Sequence, residues 1–250
     1  MTDTLDAIVG DLEAEQRELQ AVVGGIDDDA WLTPTPAWGW DVRDTIAHLA
    51  DTDEMAIDTA QGGPYAINDL AARAASGPDV TYRGVLKGRR LTGREVAAWW
   101  TRTSAAERSM LLALAPDGRV PWGIGMRAPS FATARLMETW AHGLDVRAAL
   151  GVPAVDTDRL AHVAWLATRA LPYAYSVAGR EAPAAPIRVE LTLPSGAIWA
   201  NGPDGVPDRI TGSAGEYCRV FVQRTSAADT NLVIEGDAAR AAIAVARAFL

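Results

Sequence analysis

The chain has one cysteine, Cys218, and three histidines in 250 residues. A single thiol excludes an internal disulfide and any cysteine-rich metal site. No apolar run approaches the ~20 residues that span a bilayer, so no transmembrane helix is expected. Clusters of basic residues are missing too. Lys87, Arg89 and Arg90 form only a local spot, which reads as a solvated loop. With 23 basic against 32 acidic residues the net charge is −9, which disfavours nucleic acid and anionic lipid as partners. The first segment carries Asp3, Asp6, Asp11 and Glu13 and lacks the pattern of a signal peptide. These absences predict a soluble, cytoplasmic protein away from membranes and nucleic acids; a small molecule is the expected substrate, and a monomer or homodimer the expected state.

What is present is a hydrophobic fraction of 49%, enough for a real core in one large domain or two ordinary ones. The first part reads as helices. Leu5, Ile8, Val9, Leu12, Leu19, Val22 and Val23 recur with helical period until Gly24-Gly25. Trp31 to Trp40, stiffened by Pro34 and Pro36, reads as an aromatic loop. Asp41 is placed to cap a helix running to about Thr59, broken by Gln61-Gly62-Gly63-Pro64. A region rich in Ala, Gly and Arg follows, with a short helix expected around Asn68 to Ala75. Thr92 and Glu95 have capping-box spacing ahead of a third long helix, which ends near Pro116-Asp117-Gly118. A loop containing Pro121, Gly123, Gly125 and Pro129 leads into a fourth, from about Ser130 to Leu150, stopped by Gly151 and Pro153.

Four long amphipathic helices predict a four-helix bundle over residues 1–151. Residues 152–250 change character. A helix from about Thr157 to Ala178 and a linker near Glu181 to Pro186 precede short alternating segments. Ile187–Leu193 and Ala197–Asn201 read as a hairpin, Asp208–Gly212 and Asn231–Glu235 as further strands. Helices are expected over Ser213–Thr225 and Asp237–Leu250. The fold class is therefore α+β with two domains, and a cleft where they meet is the expected place for a site.

Glu138 and His142 stand four residues apart in the fourth helix, so they share a face. His48 lies on the second helix. One carboxylate and two imidazoles can grip a divalent metal ion, and three such ligands with a vacant position are the usual form of a catalytic zinc site. Arg135 and Asp145 fall on the same stripe as Glu138 and His142. Spacing alone leaves two readings of that stripe, a ligand face or a solvent-facing one with Leu136, Trp140 and Leu144 turned inward. Asp145 is a candidate partner for fixing the tautomer of His142, or else a surface charge paired with Arg43 or Arg147. His162 has no comparable carboxylate neighbour. Arg90 and Arg135 are candidate anion binders, and Trp38, Trp40 and Trp122 are loop tryptophans that either wall a pocket or plug the bundle end.

The segment Trp38-Gly39-Trp40-Asp41-Val42-Arg43-Asp44-Thr45-Ile46-Ala47-His48-Leu49 resembles the DinB-like superfamily, in particular its mycothiol-dependent maleylpyruvate isomerase branch. So does Arg135-Leu136-Met137-Glu138-Thr139-Trp140-Ala141-His142-Gly143-Leu144-Asp145-Val146. Members carry a tryptophan-containing loop, a v-x-d-x-x-a-H-L helix and an E-x-x-x-H-x-x-D helix. Val233 to Ala238 resembles the v-x-G-d turn closing the branch's small C-terminal α+β domain, so the likeness spans nearly the whole chain. The subgroup it resembles is sometimes described through a wyosine-base-formation label, which this acidic chain, with no visible RNA-binding surface, does not support.

The resemblance implies that His48, Glu138 and His142 hold a divalent metal, commonly zinc, with Asp145 beside the catalytic centre. It implies that the helix carrying Arg219 and Arg224 can face the metal cleft, where the two would bind an anionic substrate or the carboxylate of a thiol cofactor, mycothiol. The implied activity is a thiol-dependent S-transferase or isomerase using a metal-activated thiolate. A thiol-independent metal-assisted hydrolase, lyase or cyclase stays open, as does a non-catalytic metal-binding protein. Cys218, in a segment that reads as packed helix, is not expected to be the nucleophile.

Overall fold

The computed structural model describes residues 4–73, 77–115, 117–123 and 125–248. The chain divides into two compact units, one ending at Ala154 and one beginning at Val155. In chain order the first contains α1 (Leu5–Gly24), α2 (Val42–Gln61), α3 (Ile67–Arg73), α4 (Gly77–Gly88), α5 (Gly93–Ala113), the two-residue strands β1 (Arg119–Val120) and β2 (Met126–Arg127), and α6 (Ala128–Leu150).

The starts of these helices follow from local chemistry. Asp41 accepts from the backbone of Asp44 at 2.7 Å, and Asp44 reaches back to the Asp41 N–H, a reciprocal cap for α2. Thr92 and Glu95 make the same device for α5, as their spacing predicts. Helix α6 starts before Ser130, because Pro129 lies in its first turn, where a missing N–H costs nothing.

Helix α1 packs on α5 and α6, and α2 packs on the same two, closing a four-helix bundle. Ile46, Leu49 and Ala50 of α2 meet Val96, Trp99 and Trp100 of α5, with Leu19, Val23 and Val146 completing the core.

Helix α4 is not foreseen by the sequence reading, since Gly77, Gly84 and Gly88 lower its helix propensity. Close packing makes it. A Cβ at Gly88 would collide with Ala47, and one at Gly84 with Asp51, so the two glycines let α4 lie directly on α2. The basic spot at its end is exposed, with Arg89 and Arg90 in a turn as expected, but two of its residues are paired. Lys87 pairs with Glu54 at 3.1 Å and Arg89 with Asp44 at 2.7 Å. The expected short helix is seen as far as Arg73; Ala74, Ala75 and Pro116 lie outside the described residues.

The second unit holds α7 (Leu160–Val177), β3 (Arg188–Thr192), β4 (Ile198–Asn201), β5 (Arg209–Ser213), α8 (Ala214–Phe221), β6 (Val233–Glu235) and α9 (Asp237–Ala244). The sheet order is β4-β3-β5-β6, with β3 and β5 parallel and the other pairs antiparallel. Val189, Leu191 and Ile210 form its buried face, while Arg188 and Arg209 bracket Glu190 on the other. Helix α8 packs Tyr217, Cys218 and Phe221 inward and contacts α7, β3 and β5. Helix α9 is shorter than its apolar pattern predicts. Beyond it the Ala248 N–H turns to donate to Phe221 O at 3.0 Å; Phe249 and Leu250 lie outside the described residues.

Candidate metal centre

Adjacent bundle helices bring three donors to one point. His48 comes from α2, and Glu138 and His142 come from α6. His48 Nε2 lies 3.8 Å and His142 Nε2 3.5 Å from the same oxygen, Glu138 Oε2, and all three donor atoms lie within 4.8 Å of one another. Two ligands each ~2.1 Å from a shared zinc ion at the tetrahedral angle would stand about 3.4 Å apart. The two separations from Glu138 are close to that figure and too long for strong direct hydrogen bonds. The residues therefore fit a divalent metal.

The stripe left open by spacing faces inward. Arg135, His142 and Asp145 are buried, while the Glu138 side chain stays 20% exposed and gives the centre an edge to solvent. Helix α6 buries residues on nearly every side, Leu136 and Trp140 included, so the solvent-facing reading of the stripe is overturned. Asp145 Oδ2 is 3.4 Å from His142 Nδ1, within ion-pair reach but short of a well-aligned hydrogen bond. Nδ1 of His48 is buried without a hydrogen-bond partner.

Burial pulls the His48 pKa down, with the His142 charge adding and Glu138 opposing. His142 moves up: burial lowers it, but Asp145 and Glu138 together outweigh burial. Burial would raise Glu138, yet His142, His48 and Arg135 hold it well below the usual carboxylate value. Ligation requires neutral imidazoles beside an ionised carboxylate; the shifts of His48 and Glu138 run that way, and that of His142 runs against it.

Trp40 closes one side of the centre, its ring centroid 5.0 Å from that of His48 and 6.0 Å from that of His142. Its loop is pinned, since Arg89 donates to Gly39 O at 3.0 Å while bound to Asp44. Trp38, two residues earlier, is 98% exposed, and Trp122 packs on Phe131 with centroids 5.3 Å apart. Of the three loop tryptophans, only Trp40 meets the imidazoles.

Arg135 is no surface anion binder. Fully enclosed, its Nε donates to Glu107 Oε1 at 2.6 Å and its Nη2 to Asp53 Oδ1 at 2.8 Å. Sequence reasoning missed this cluster, although a basic residue on an inward stripe requires buried carboxylates opposite it. Arg219, in the second unit, is gripped by both oxygens of Asp156 at 2.7 and 2.8 Å. Arg224 donates to Val222 O at 2.7 Å. His162 is buried in α7. The Cys218 thiol contacts Leu160 O, and burial pushes its pKa upward, which disfavours a nucleophilic thiolate.

Residues 12–147 match the family model of the mycothiol maleylpyruvate isomerase N-terminal domain. The chain belongs to that family. Among its relatives are the uncharacterized proteins Rv0036c and MT0041 of Mycobacterium tuberculosis, strains H37Rv and CDC 1551. Each is 39% identical over 244 residues, covering 96% of this chain and 94% of its own. The fold is similar to the crystal structure of the mycothiol-dependent maleylpyruvate isomerase and to that of a histidine-to-alanine mutant of it. TM-scores are 0.60 and 0.59 at 15% identity, over 90% of this chain and 91% of those chains.

Proposed function

We propose that the protein is a metal-dependent enzyme of small-molecule metabolism, an isomerase or S-transferase that works with mycothiol. The observation that carries this is the convergence of His48, Glu138 and His142 within a domain of the mycothiol isomerase family. A divalent ion held there would supply Lewis acidity, which favours the deprotonated form of a thiol or polarises a carbonyl.

The chain's own residues set up that chemistry. Glu138 stays ionised against its burial and lowers the net charge of the centre. Asp145 faces Nδ1 of His142 and favours the tautomer whose Nε2 lone pair points toward Glu138. Trp40 supplies an apolar wall that limits water on one side. Arg219 and Arg224 remain candidates for an anionic group of the cofactor or substrate. Arg219→Ala should then raise KM for the thiol more than it lowers kcat.

Two measurements test the proposal. Zinc content should fall strongly in His48→Ala and His142→Ala and persist in His162→Ala; retention in both of the first two sinks the ligand set. Mycothiol added to the cobalt-substituted protein should produce sulfur-to-cobalt charge-transfer absorption. If the spectrum stays unchanged while a substrate is still turned over, thiol-independent hydrolysis, elimination or cyclisation becomes the better reading, because nothing else in the centre requires sulfur.

A further inference from the structure

One turn along from the metal centre, the bundle carries a second buried polar layer. Arg135 precedes Glu138 by three residues on α6. Thr52 follows His48 by four on α2, and its hydroxyl donates to the carbonyls of His48 and Leu49 at 3.0 Å. Arg135 Nη2 donates to that same hydroxyl at 3.0 Å and to Asp53 Oδ1 at 2.8 Å. Its Nε donates to Glu107 of α5. Thr103, also on α5, donates to Asp53 Oδ2 at 3.3 Å, and Gln16 of α1 reaches Glu107 Oε2 at 3.5 Å. Arg135, Asp53 and Glu107 are each no more than 2% exposed.

This layer is an expensive way to stabilise a bundle, because desolvating ionisable groups offsets most of their attraction. Apolar side chains would fill the space at least as well. What the layer does impose is registry. A planar guanidinium with fixed donor directions sets both the spacing and the axial offset of α2 against α6. Those two quantities determine how far His48 stands from Glu138 and His142, and the link is direct, since Thr52 bonds the carbonyl of His48 itself.

We infer that Arg135 is a positioning residue, holding α2 and α6 in the register that brings the His48 imidazole to the Glu138–His142 pair and so setting the affinity and geometry of the metal centre. This rests on the metal reading above.

The test uses the purified full chain, stripped and reloaded, with zinc affinity read by chelator competition and geometry by the visible spectrum of the cobalt form. Wild type is the first arm; failure to bind zinc would overturn the metal reading and this one with it. In Arg135→Met/Asp53→Asn/Glu107→Gln the layer is neutral, so no uncompensated charge is buried. Zinc affinity should drop about tenfold or more, in the range seen when groups supporting metal ligands are removed, and the cobalt bands should shift. Arg135→Lys keeps the charge but loses the fork, and should show a smaller drop. If the triple variant fails to fold, Arg135→Lys decides. Arg83→Met/Asp51→Asn removes an ion pair that ties α4 to α2 and should leave affinity and spectrum unchanged. Wild-type affinity and spectrum in a folded triple variant, or in Arg135→Lys if the triple does not fold, would reduce the layer to a structural one and overturn the inference. An equal loss of affinity in the Arg83 control would do the same.

Discussion

At the scale of single residues, this protein places charges where water does not reach and balances them locally. Glu138 is held ionised by two imidazoles and a guanidinium. Asp53 goes the other way. Burial and the neighbouring Glu107 raise its pKa well above the ordinary value, with Arg135 only partly opposing. The sign of the consequence follows from linkage. A carboxyl with a raised native pKa binds its proton more tightly folded than unfolded, so its contribution to stability is present below the unfolded value of about 3.9 and is lost as pH rises through the native value. Asp53→Asn removes that loss. The stability of the variant relative to wild type, by urea unfolding of the metal-free protein, should therefore rise with pH from about 4 upward and then level off. A difference that does not vary with pH would mean that Asp53 titrates normally.

At the scale of elements, α2 is the hub. It carries His48 on one side and the α4 contact on another, and its N-terminal cap is clasped by Arg89, which also holds the Trp40 loop. The α4 contact depends on glycine. Gly88→Ala drives a methyl group into Ala47, the residue next to His48. The expected cost of such overpacking, about 1 to 3 kcal/mol, exceeds the gain of up to ~1 kcal/mol from helix propensity. Gly10→Ala makes the comparison clean, because a Cβ there meets open space on α1. Thermal unfolding should show Gly88→Ala destabilised and Gly10→Ala unchanged or slightly stabilised. Equal effects would mean that α4 and α2 separate easily.

At the scale of the whole molecule, the bundle has a continuous core of its own, from Leu19 and Val23 through Ile46 and Leu49 to Trp99, Trp100 and Val146. A core of this size does not need a metal to fold, unlike small domains in which metal binding and folding are one event. Chelation should abolish turnover while leaving most of the far-ultraviolet circular dichroism intact. Cooperative unfolding on chelation would instead assign the ion a structural role. No helix among the described residues is long and apolar enough to cross a membrane.

The caps at Asp41 and Thr92, the stops at Gly24-Gly25 and Gly151, and the change from helical to alternating period near Ile187 were legible because each depends on a few adjacent residues. The pairing of Glu138 with His142 was legible for the same reason: four residues on a helix fix a shared face. The family likeness at Trp38 to Leu49 and at Arg135 to Val146 singled out His48 as their partner. Tertiary structure alone decided which way that face points. Periodicity groups residues into stripes but does not say what covers them, so a stripe of Arg, Glu, His and Asp looked equally fit for water. Only the packing of α2, α5 and α6 turned it inward and set Arg135 between Asp53 and Glu107. Packing likewise made a helix of the glycine-rich α4, whose intrinsic preference is weak and whose close approach to α2 no local pattern records.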